Sequence, residues 1–71
     1  MRKPRLSKNT IETLLHEGKA RSGKYEYEMT RDWNNELNTF VDNLTRWDED
    51  NNYDEWEIPA NEGIWAFERK D

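Results

Sequence analysis

Apart from Met1 and three alanines, this chain of 71 residues has only nineteen apolar side chains, and that shortage limits it to one hydrophobic core. The burial they offer must offset the conformational entropy lost when backbone and side chains are ordered. A single domain is expected, stable enough to fold but helped by anything that covers apolar surface, such as a second copy or another protein.

A mean hydropathy of −1.40 and a charged fraction of 38% lean toward disorder, but four tryptophans, three tyrosines and two phenylalanines do not suit a disordered chain. Without cysteine, disulfides and thiolate metal sites are excluded. No apolar run reaches the length of a membrane span, and the start Met1-Arg2-Lys3-Pro4-Arg5 is not followed by the apolar stretch of a signal peptide. The expected compartment is the cytoplasm.

The net charge of −5 conceals a division. Residues 1 to 24 hold seven basic groups (Arg2, Lys3, Arg5, Lys8, Lys19, Arg21, Lys24) against Glu12 and Glu17, a balance of +5. Residues 25 to 71 hold fourteen carboxylates against Arg31, Arg46, Arg69 and Lys70, a balance of −10. Such asymmetry points to an interaction surface rather than to a particular fold.

Residues 1–8, with one proline and four Lys or Arg, read as a flexible basic arm ahead of a single domain over 9–71. Asn9 with Glu12 fits a capping box, and Ile11, Leu14 and Leu15 follow at helical spacing, ending at Gly18 or Gly23. From Lys24 to Met29 the pattern alternates strictly, which predicts a half-buried strand. Thr30 or Asp32 can cap a second helix whose Trp33, Leu37, Phe40, Val41, Leu44 and Trp47 form one stripe. Short strands are expected near Asp54–Ile58 and Ile64–Arg69, joined by a turn over Pro59–Gly63. The expected fold is α+β: helix, strand, helix, strand, strand, with a three-stranded antiparallel or mixed sheet packed by two helices in two layers.

Four motifs fail on inspection. Gly18-Lys19-Ala20-Arg21-Ser22-Gly23-Lys24 resembles a phosphate-binding loop until Tyr25 stands where Ser or Thr must hold magnesium, and its flanking elements are reversed. His16 is the sole histidine and lacks a nucleophile and an orienting group. Asp48, Asp50, Asn52 and Asp54 begin with calcium-loop spacing, but Tyr53 occupies the glycine position and Pro59 the bidentate glutamate. Asn43-Leu44-Thr45 is a glycosylation pattern within a predicted helix. No catalytic set, metal or cofactor is expected.

The stretch from Trp47 to Glu57 stands out. Its carboxylates Asp48, Glu49, Asp50, Asp54, Glu55 and Glu57 alternate with Trp47, Tyr53 and Trp56, a mixture that can steer a basic partner and then anchor it with rings. The competing explanation is that the rings belong to the core and the carboxylates keep the domain soluble. Two functions follow as expectations. The first is a non-enzymatic protein whose acidic, ring-bearing body binds a basic, nucleic-acid-handling protein as an inhibitor or modulator, mimicking nucleic acid. Its small size, acidity and abundant tryptophan match early proteins of bacterial viruses, which suggests host takeover or anti-defence. The second is a nucleic-acid-binding regulator using Arg2, Lys3, Arg5, Lys8, Lys19, Arg21 and Lys24, with weak, salt-sensitive affinity, while the acidic body forms a homodimer or prevents wrapping.

Overall fold

The computed structural model describes residues 3–58 and 62–69. One helix, α1 (Lys8–Glu17), precedes four strands, β1 (Lys19–Ser22), β2 (Tyr25–Asn34), β3 (Thr39–Trp47) and β4 (Tyr53–Ile58), and a 3-10 helix spans Gly63–Phe67. The strands form one antiparallel sheet in the order β1-β2-β3-β4. The molecule is thus a small α+β domain with one helix and four strands, not two helices and three strands.

Helix α1 starts at Ser7, whose hydroxyl accepts from the Thr10 amide, so the cap lies two residues before the expected Asn9. It stops at the first of the two candidate glycines, where Gly18 takes φ 77° and its amide donates to the Leu14 carbonyl. Its buried residues are Thr10, Ile11 and Leu14; Leu15, assigned to the same face by spacing, is exposed. The segment after Gly18, whose glycines suggest a loop, is instead β1, which closes on β2 through a turn at Gly23 and Lys24.

The predicted second helix is a β-hairpin. Strand β2 continues the alternation of Tyr25, Tyr27 and Met29 through Arg31 to Trp33, and β3 returns with Asp32 opposite Val41 and Trp33 opposite Phe40. Between them, the Asn34 side chain accepts from the Leu37 amide, and Asn38 adopts φ 53°, a conformation asparagine tolerates better than most residues. Positions 33, 37, 40, 41, 44 and 47 satisfy helical spacing, yet this turn chemistry and the Thr39-Phe40-Val41 start of β3 favour strands. The last predicted strand is also corrected: Gly63–Phe67 is a 3-10 helix, and only Glu68 makes an isolated bridge, parallel to Leu6. Three residues of the predicted Pro59–Gly63 turn lie outside the described residues.

The core lies on one face of the sheet. Leu6, Ile11, Leu14, Ile64 and Phe67 pack onto Tyr27, Leu44 and Ile58, flanked by Ala20, Met29 and Trp56. Leu6, within the segment read as an arm, is only 2% exposed. Its amide donates to the Phe67 carbonyl at 2.8 Å, and its carbonyl accepts from the Arg69 amide at 2.7 Å.

Leu44, fully buried on the inner strand β3, should be among the most costly side chains to shorten. Leu44→Ala is expected to lower stability by about 2 to 5 kcal/mol, and Phe40→Ala, at a residue outside the core, by less than about 1 kcal/mol. Urea unfolding followed by tryptophan fluorescence measures both, and equal losses would contradict this placement of the core.

Candidate functional site: the uncovered face of the sheet

Because side chains alternate along a strand, a sheet with its core on one side presents the remaining residues on the other. No residue of the core cluster lies on that second side, although Val41 and Thr45 there are buried. Its rows follow from the register. Glu28, Thr45 and Glu55 lie abreast; Glu26, Trp47 and Tyr53 form the next row; Thr30, Asn43 and Glu57 form the row on the other side. Asp32 stands further along β2, opposite Val41.

Glu26, Glu28 and Asp32 therefore line β2, and Glu55 and Glu57 line β4. Neighbouring carboxylates two residues apart on a strand are spaced about 6.7 Å, and β2 and β4 lie about 9.5 Å apart across β3. Thr45, buried between two glutamates, forms a polar floor, while Tyr53 is 64% exposed. Lys19 and Arg21 of β1 approach this face, at 3.9 Å from Glu28 and 3.7 Å from Glu26. Such exposed, loosely spaced pairs add little stability. No cation lies within ion-pair distance of Asp32, Glu55 or Glu57 among the described residues.

The pleat divides the Trp47–Glu57 stretch. Trp47, Tyr53, Glu55 and Glu57 are on the open face. Glu49 and Asp50 are exposed in the β3–β4 turn. Asp48 is committed to that turn, its carboxylate accepting from the Asp50 and Asn52 amides at 2.9 and 3.0 Å. Asp54 and Trp56 are on the core side. There Asp54 accepts from Arg46 at 3.0 Å, and the Arg46 guanidinium lies 4.4 Å from the Tyr25 ring centre and 5.1 Å from that of Trp56. Thus Asp48 and Asp54, two members of the calcium-like spacing, already serve structural roles, and no cluster of three or more acidic or imidazole groups among the described residues is arranged to hold a metal ion.

The basic residues are dispersed. Lys3, Arg5 and Lys8 precede or begin α1, with the Lys3 ammonium 5.9 Å from the Phe67 ring centre; Lys19, Arg21 and Lys24 follow its far end. A ten-residue helix places those groups about 15 Å apart. Arg2 lies outside the described residues. Along β1 runs an open groove of about 760 Å³, lined by both signs of charge, including Glu17, Lys24, Trp47 and Glu49. His16 is exposed on α1, Asn43 lies in β3, and no helix among the described residues is long and apolar enough to cross a membrane.

Sequence spacing missed the contribution of β2 to the acidic face, though the uninterrupted alternation from Tyr25 to Asn34 carried that signal. It also missed an apolar group at the β2–β3 tip, where Trp33, Leu37 and Phe40 are exposed, because a helical stripe would have buried them. Comparison with protein-family models, curated proteins and solved structures yields no match.

Burial pushes the Tyr27 phenol above its ordinary value, against the opposing charge and hydrogen bond of Arg46. The folded protein holds this proton more tightly than the unfolded chain does. The associated stability is intact below pH ~10 and declines as pH rises toward the folded value. Tyr27→Phe should flatten the alkaline decline of the urea midpoint; an identical decline in the variant would show that another group governs it.

Proposed function

We propose that the protein is a non-enzymatic binding protein whose uncovered sheet face engages a basic, nucleic-acid-handling protein and competes with the nucleic acid for its surface. The observation that carries this reading is the pair of carboxylate rows on β2 and β4, held in place by the ladder with Trp47 and Tyr53 beside them. Negative charge fixed on a rigid support resembles a phosphate backbone to a cationic channel, and complementary charge accelerates encounter. Exposed Tyr53 and half-buried Trp47 offer ring area that needs little further ordering. Inhibition or modulation in the cytoplasm, during host takeover or against host defence, is the role that best suits such a mimic.

Direct nucleic-acid binding has less support. Lys19 and Arg21 lie beside Glu28 and Glu26, so phosphates reaching those cations would also meet carboxylates. Lys3, Arg5 and Lys8 are left at the other end of α1, too few for tight binding at physiological salt.

The immobilised protein should retain basic proteins from a lysate and release them to heparin or single-stranded DNA. Replacing Glu28, Glu55 and Glu57 with glutamine should reduce retention about tenfold or more. Full retention by that variant would refute the acidic face as the binding surface. Labelled duplex or single-stranded DNA bound at micromolar concentration, and lost on changing Lys3, Arg5 and Lys8 to alanine, would favour the nucleic-acid reading instead.

A further inference from the structure

The outer half of the β2–β3 hairpin extends beyond both neighbouring strands. Strand β1 reaches only to Glu28, and β4 ends opposite Asp42. Residues 30 to 41 therefore form a two-stranded ribbon, a construction that is marginal alone and here rests on cross-strand contacts. Arg31 meets Asp42 at 3.1 Å, Asn43 donates to Asp32 at 2.9 Å, and Trp33 meets Phe40 edge to face at 5.1 Å between ring centres.

At its end the ribbon exposes three large apolar side chains, two of them in ring contact. Trp33, Leu37 and Phe40 are 50%, 58% and 58% exposed, and none belongs to the core. The tip is preorganised: the indole N–H donates to Asn35 at 3.0 Å, and the Leu37 amide is held by Asn34. Side chains already fixed lose little freedom on docking. Charge identifies the occupant. Arg31 is matched by Asp42, whereas Asp32 and Glu36 have no cation within ion-pair distance among the described residues. Two copies meeting tip to tip would oppose these carboxylates, and an anionic membrane would repel them.

We infer that the β2–β3 tip is a second docking element, adjoining the acidic face at Asp32, that inserts Trp33, Leu37 and Phe40 into an apolar pocket rimmed by Lys or Arg on a protein partner. Large rings at the centre of a contact, encircled by complementary charge, make the strongest anchors.

A photo-crosslinking benzoylphenylalanine at position 37 of the full chain tests this, with position 15 on α1, also exposed, as the control. Adducts from position 37 should fall on protein segments in which apolar residues are flanked by Lys or Arg, and Trp33→Ser with Phe40→Ser should reduce their yield about tenfold or more. Amide hydrogen exchange at residues 30 to 41 should show that the ribbon's pairing survives in this variant. With the crosslinked protein purified, the same double substitution should weaken its binding about tenfold or more even when Glu28, Glu55 and Glu57 are glutamine. Adducts only to a second copy, adducts only to lipid, a yield equal to that at position 15, or a yield unaffected in the folded double variant would each overturn the inference.

Discussion

A four-stranded sheet has two faces, and this chain has enough apolar material to cover one. Helix α1, the Leu6 segment and the 3-10 helix all lie on the side of Tyr27, Leu44 and Ile58. The other side must consequently be compatible with water. A slip of one residue in any strand would exchange the two sets, placing Glu28 or Glu55 among Leu6 and Ile11 and exposing Leu44. The hydrophobic requirement of the core thus also fixes the carboxylate rows. Partner recognition, as proposed, uses a surface that folding itself would keep polar.

That coupling explains what the residues reveal on their own. The stop of α1 at Gly18, the alternation of Tyr25, Tyr27 and Met29, and the strand ending at Ile58 depend on local chemistry, and the structure contains them. The error between Thr30 and Trp47 arose because apolar spacings of three, four and seven residues suit a helix, while a hairpin requires only that each arm alternate. A turn can reset the phase between arms, as Asn34 to Asn38 does. Leu6 differs: nothing in its basic surroundings reveals that the backbone of Phe67 and Arg69, at the far end of the described chain, will hold it.

Mapping charge onto the fold alters its meaning. The linear division set a basic beginning against an acidic body, but β1 brings Lys19 and Arg21 to the edge of the acidic face. Meanwhile the densest acidic stretch is split, with Asp54 and Trp56 supporting Arg46 on the core side. Glu26, Glu28 and Asp32, distant in the chain from that stretch, take their places beside Glu55 and Glu57. Proximity in sequence identified the chemistry of the surface but assigned some of its members wrongly, since pleating separates adjacent residues and pairing unites remote ones.

The bridge between Leu6 and Glu68 also bears on how the domain forms during synthesis. The strand meander is built from neighbours and can begin pairing as it leaves the ribosome, but Leu6 and Ile11 must wait for Ile64 and Phe67. Nearly the whole described chain has to emerge before its core can close. Until then the nascent sheet would carry an uncovered apolar side, when its acidic side gives the main protection against association with other chains.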